Sequence, residues 1–154
     1  MAHNRHETTP RSDANDTASQ TPDASPNVQL IRAAYRAFQA RDLQALLDTF
    51  APDVHWVHPE SMSAYGLGGT KYGHDGVQEF LARVPGILGG MQLEPHEFLE
   101  SGDRVVVFGE RRVTSVRGST QLLKFVHSWT LRDGEVTVME DIFDTVLLQQ
   151  LIES

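Results

Sequence analysis

Four runs rich in β-branched and aromatic residues fill the second half of the chain, at 91–100, 104–115, 120–132 and 135–144. The breaks between them are turn-like: Ser101-Gly102-Asp103, Arg117-Gly118-Ser119 and Arg132-Asp133-Gly134. Long strands joined so tightly predict consecutive antiparallel hairpins. The first half reads differently. Val28, Ile31, Tyr35 and Phe38 recur at helical spacing and predict an amphipathic helix over 27–40 with Asn27 as its cap. Asp42 opens a shorter helix carrying Leu43, Leu46, Leu47 and Phe50, which Pro52 closes. Residues 53–58 read as a strand ended by Pro59, 60–73 as a long loop, and 75–84 as a third helix. The segment 145–153 predicts a final helix, with Asp144 as its cap. Helices first and a meander afterwards predict an α+β fold with the helices packed on one sheet.

Composition narrows the function classes. A chain of 154 residues with 40% apolar and 22% charged residues suits one domain with a packed core. Its net charge of −8 disfavours nucleic acid and anionic membrane surfaces as partners, since both call for a basic face. The absence of cysteine excludes disulfides, thiolate nucleophiles and Cys-ligated metal clusters. Residues 1–26 are dominated by Ser, Thr, Asp, Asn and Pro and predict a disordered tail, leaving 27–154 as the domain. That tail has no apolar segment of the secretory kind, so the expected compartment is the cytoplasm.

Several apparent motifs fail on inspection. Gly66-Leu67-Gly68-Gly69-Thr70-Lys71 lacks the Gly-Lys-Ser/Thr ending of a phosphate loop, and reads instead as a mobile loop at a cavity mouth. His55 and His58 are three residues apart on a strand and point to opposite faces, so they do not chelate one ion. No metal and no cofactor is expected.

The order of elements resembles the nuclear transport factor 2-like superfamily, and within it the SnoaL-like branch. The residues that carry the likeness are Tyr35, Phe38 and Asp42-Leu43; Phe50-Ala51-Pro52-Asp53-Val54 with Trp56; Gly73-His74-Asp75-Gly76-Val77 with Phe80; Trp129 to Gly134; and Ile142-Phe143-Asp144-Thr145. The resemblance covers about residues 27–150. It implies a cone-shaped α+β barrel, with N-terminal helices packed on a strongly curved antiparallel sheet around an apolar cavity. It also implies a homodimer paired through the convex sheet. Relatives include isomerases, cyclases, epoxide hydrolases, dehydratases and non-catalytic binders, so fold alone does not choose a reaction.

The same comparison assigns faces. It implies that Trp56 and His58 point inward from the first strand, Phe108, Glu110 and Arg112 from one long strand, Phe125, His127 and Trp129 from the next, and Met139, Asp141 and Phe143 from the last. His58, followed by Pro59, stands where ketosteroid isomerases carry their general base, and His127 where they stabilise an oxyanion. Asp141 resembles the water-activating aspartate of limonene epoxide hydrolases, Glu110 lies near their second carboxylate, and Arg112 replaces a displaced arginine. Tyr35, one position off the isomerase tyrosine, joins Trp56, Phe108, Phe125, Trp129, Met139 and Phe143 as a candidate substrate contact.

Three readings follow. The first is a cofactor-independent acid–base enzyme (isomerase, cyclase or dehydratase) on a hydrophobic, polyketide- or terpenoid-like molecule, using His58, His127, Asp141, Arg112 and Glu110. The second is an epoxide hydrolase with a water activated by Asp141. The third is a binding or dimerisation domain in which the ionisable groups are merely paired.

Overall fold

In a computed structural model, which describes residues 24–154, the chain forms five helical segments and six strands. The expected tail lies largely outside the described residues. Helix α1 (Pro26–Gln39) is capped by Ser25, whose Oγ accepts from the Val28 N–H at 3.2 Å. The cap falls two residues before the expected Asn27 because Pro26, lacking an N–H, fits the first helical position. Asp42 caps α2 (Leu43–Leu47) through the Ala45 N–H.

Strand β1 (Phe50–His58) begins earlier than expected. Phe50 belongs to it rather than to the preceding helix, and Pro52 lies inside it. The β1–β6 register shifts between Phe50 and His55, so the proline sits in an irregularity that needs no donor. The expected loop after His58 is also ordered. It forms a 3-10 turn (Glu60–Tyr65) and then β2 (Gly69–Tyr72), an edge strand antiparallel to β1. Close packing accounts for this, because a Cβ on Gly68 would stand 2.5 Å from Pro59 O. The segment is therefore a packed turn and edge strand rather than an irregular loop.

Helix α3 (Gly73–Ile87) runs longer at both ends than its apolar spacing implies, and passes straight into β3 (Leu88–Ser101). Strands β4 (Arg104–Ser115), β5 (Thr120–Arg132) and β6 (Glu135–Phe143) follow as antiparallel hairpins, and α4 (Thr145–Glu153) closes the chain. The sheet order is β2-β1-β6-β5-β4-β3, antiparallel throughout except for the parallel β1–β6 pair. Irregularities at Leu88/Gly90, Pro95/Glu97 and Thr130/Leu131 bend the long strands. The result is a curled, unclosed sheet whose concave side is covered by helices, with Ile31, Val54, Val77, Val107 and Val136 fully buried between the layers.

Candidate active site

Four elements carry the polar residues of the interior. Helix α1 presents Tyr35, β4 presents Arg111, β5 presents His127 and Trp129, and β6 presents Asp141. His127 and Asp141 are direct register partners on adjacent strands, so their side chains rise from the same face side by side. His58, at the end of β1, reaches the same carboxylate from the other side.

Asp141 is the hub. Arg111 donates from Nη1 to Oδ2 at 2.8 Å and from Nη2 to Oδ1 at 2.5 Å, a two-pronged pair. His127 Nε2 lies 3.2 Å from Oδ1 and His58 Nε2 lies 3.5 Å from Oδ2. Burial alone pushes a carboxyl upward, but the Arg111 guanidinium and the His127 ring overcome it and hold Asp141 well below the usual carboxylate range. Burial drives both imidazoles the other way: His127 is lowered, and His58 falls to about 4. Near neutral pH the cluster thus holds one carboxylate, one guanidinium and two neutral rings.

A carboxylate beside Nε2 favours the His127 tautomer with its proton there, which leaves Nδ1 as an acceptor. Tyr35 fills that place, with Oη 2.6 Å from Nδ1. Trp129 Nε1 in turn donates to Tyr35 Oη at 3.2 Å. With that tautomer a chain runs from Trp129 to Tyr35 to His127, whose Nε2 faces the Asp141 carboxylate and also stands 3.4 Å from Arg111 Nη2. Burial raises the Tyr35 hydroxyl above its ordinary value, so it stays protonated. The His127 ring packs on Phe125, 4.2 Å away by centroid, and on Tyr35, at 5.8 Å. Phe125 fits there because residue 109 is glycine: a Cβ would stand 2.5 Å from Phe125 Cζ.

Three inward placements from β4 need correction. Phe108 is 41% exposed, Arg112 is exposed, and the Glu110 side chain keeps 35% of its surface. The inward row is Val105, Val107, Gly109, Arg111 and Val113, one position away. Glu110 pairs with His96 at 3.7 Å, and with Arg112 lines a separate polar hollow. Residues 105–108 are all apolar, so alternation is silent there, and the family comparison set the strand one position off. The signal that identifies Arg111 lies further on: Val113 is apolar while Arg112 and Thr114 flank it.

Trp56, Phe125, Trp129 and Met139 are buried on the inner face, and Phe143 is half-buried with Arg111 4.7 Å above its ring. Around the cluster only about 40 Å3 is open, bounded by Tyr35, Trp56, Arg111, His127, Trp129 and Asp141 with apolar neighbours. His58 is not among these lining residues and packs on Phe80, 4.2 Å away by centroid. Trp56 and Arg111 line this space, and their buried Nε1 and Nε have no hydrogen-bond partner, nor has His58 Nδ1. Among the described residues no helix is long and apolar enough to cross a membrane.

The SnoaL-like domain model matches residues 31–139. The chain belongs to the SnoaL-like domain family. Its relatives of known structure share the cone. TerC, co-crystallised with polyporic acid, is 63% identical over 84% of this chain and 100% of its own, with a TM-score of 0.83. An NTF2-like protein of unknown function from Burkholderia pseudomallei K96243 is 50% identical over 85% of this chain and 100% of its own, also at 0.83. A protein with a ketosteroid isomerase-like fold from Catenulispora acidiphila DSM 44928, in complex with trimethylamine, shares the fold at 16% identity over 81% of this chain and 92% of its own, with a TM-score of 0.69. No curated protein matches the chain.

Proposed function

We propose that this SnoaL-like domain is a cofactor-independent acid–base enzyme for an acidic aromatic carbonyl compound, with Tyr35, His127 and Asp141 moving the proton. The observation that carries this reading is the hydrogen-bonded line from Trp129 through Tyr35 to His127, whose Nε2 lies 3.2 Å from the Asp141 carboxylate. A proton leaving a carbon next to a carbonyl passes to Tyr35 Oη, while the Tyr35 proton passes to His127 Nδ1. The imidazolium so formed lies against the Asp141 carboxylate, and the substrate remains as an enolate. Return of the His127 proton to another atom completes an isomerisation; its transfer to a β-hydroxyl, which departs as water as the enolate forms the double bond, completes a dehydration.

The two unpartnered donors support the oxyanion half of this scheme. Buried N–H groups without acceptors cost about 1–3 kcal/mol each, which a negatively charged ligand oxygen would offset. Polyporic acid, a diphenyl-substituted dihydroxyquinone found with the 63% identical TerC, is a molecule of that chemistry. His58, neutral and behind the cluster, is assigned to positioning Asp141 rather than to removing a proton. The epoxide-opening reading is weaker, because Arg111 bonds both Asp141 oxygens and holds the carboxyl well below its usual range, which makes it a poor base for water.

Both tryptophans of the chain line the inner cavity, so fluorescence quenching reports occupancy. Polyporic acid should quench saturably, and an enolisable aryl β-diketone should exchange its acidic hydrogen in D2O faster with the protein than without it. His127→Gln should cut that exchange about 100-fold or more. Binding without catalysed exchange would favour the ligand-carrier reading; absence of both would remove the site altogether.

A homodimer through the outer sheet face completes the reading. Phe108, Val126 and Ile142 form one cross-strand row on that face, with Phe108 41% and Ile142 50% exposed.

A further inference from the structure

About 40 Å3 around Arg111, His127 and Asp141 is far too little for an aromatic ligand, whose sites commonly span about 300–1,000 Å3. A hollow of about 470 Å3 lies directly against it, between α1, α2, α3 and the start of β3. Leu43, Leu81, Val84 and Leu88 make that hollow apolar, and Arg41, Asp42 and Gln78 are the polar side chains in its lining. Phe38, Leu46 and Met91 line both spaces. These three side chains are therefore the partition between them.

The partition is built from parts that can yield. Phe38 stands in the last turn of α1 and is half-buried, as is Met91. Methionine is unbranched and adapts its shape readily. Met91 also lies on β3, the edge strand of the sheet, between register irregularities at Leu88/Gly90 and Pro95/Glu97. Leu46, at 3% exposure, is the fixed member.

We propose that the outer hollow is a second subsite of one continuous binding site. It takes an apolar, aryl-sized arm of the substrate while an oxygenated ring reaches Arg111 and His127. Phe38 and Met91 move aside to admit the arm, and so set which substrates enter. This rests on the reading above that the inner cluster holds the oxygenated ring. The class of substrate is thereby narrowed to molecules with an acidic, oxygen-rich ring bearing at least one apolar aryl substituent. A compact oxygenated ring alone would leave the larger, greasier hollow filled with water.

The test compares polyporic acid with 2,5-dihydroxy-1,4-benzoquinone, the same ring without aryl arms, by tryptophan quenching of the full chain. Replacing Leu43→Gln and Leu81→Gln together makes the outer hollow polar without altering the inner cluster. The expected result is a loss of polyporic acid affinity of tenfold or more, and a loss for the armless ring at least fivefold smaller. Met91→Ala should raise the association rate of polyporic acid several-fold more than that of the armless ring. Equal losses for both compounds, or none for polyporic acid, would overturn the second subsite while leaving the inner cluster intact. If the unaltered chain bound neither compound, the inner-cluster reading would fall and this proposal with it.

Discussion

Tyr35 Oη stands 2.6 Å from His127 Nδ1, joining helix α1 to strand β5 across 92 residues of sequence. The same hydroxyl accepts from Trp129 Nε1, so one oxygen satisfies two buried nitrogens at once. Structure and proposed chemistry meet at this atom. It ties the helix to the sheet, and in the proposed scheme it is the point at which a substrate proton enters the relay.

Replacing Tyr35→Phe removes that oxygen and almost nothing else. His127 and Trp129 are then left with buried, unsatisfied nitrogens, which cost about 1–3 kcal/mol. Urea denaturation should show a loss of that size. Catalysed hydrogen exchange should fall about 100-fold, with ligand quenching much less affected. Unchanged exchange in a folded Tyr35→Phe variant would assign the proton step elsewhere.

Arg111 and Asp141 should be far more costly to remove singly than together. Either Arg111→Met or Asp141→Leu strands a buried charge, for about 3–5 kcal/mol each. The double replacement leaves no charge to strand, so its loss should fall well short of the sum. A double-mutant cycle by chemical denaturation measures the difference. Simple additivity would mean the pair is not the closed unit its 2.5 and 2.8 Å contacts describe.

Acid should destabilise the fold, first through the histidines. His58 titrates at about 4 in the folded chain against about 6.5 unfolded, because burial disfavours its charge. His127 is shifted the same way. Between those values the unfolded chain binds more protons, so the stability these rings contribute is complete above about pH 6.5 and drains away as pH falls. Each ring adds a slope of up to about 1.4 kcal/mol per pH unit. Asp141, held low in the fold, loses its own contribution only below about pH 4, the unfolded carboxylate range. Denaturation midpoints should climb from about pH 4.5 to 6.5 and flatten above about 7, and His58→Gln should make the climb shallower. A flat profile would mean the rings do not stay neutral in the fold.

Phe108→Arg places a charge at one end of the Phe108–Val126–Ile142 row. Sedimentation of the unaltered chain should give about twice its 17.2 kDa, and the variant should sediment as the single chain. A monomeric parent would exclude the dimer. The substitution should leave His127 and Asp141 undisturbed, since Phe108 points away from them.

Much of this architecture is legible along the chain because its causes are local. The turn triplets ending at Asp103, Ser119 and Gly134 demand hairpins whatever packs on them, and helical spacing from Val28 to Phe38 has one amphipathic solution. In β5 and β6 burial alternates around His127 and Asp141, on the faces that the family resemblance implied. In β4 that alternation is silent from Val105 to Phe108. Tertiary packing decided the register there: Gly109 is the one position that lets Phe125 lie against the sheet, and Arg111 follows two residues later on the same face. Likewise, no spacing relates Tyr35 to His127, nor Phe38 to Met91. Each pair meets only because the curled sheet brings β3 and β5 under α1, and contacts so distant in sequence leave no periodic trace.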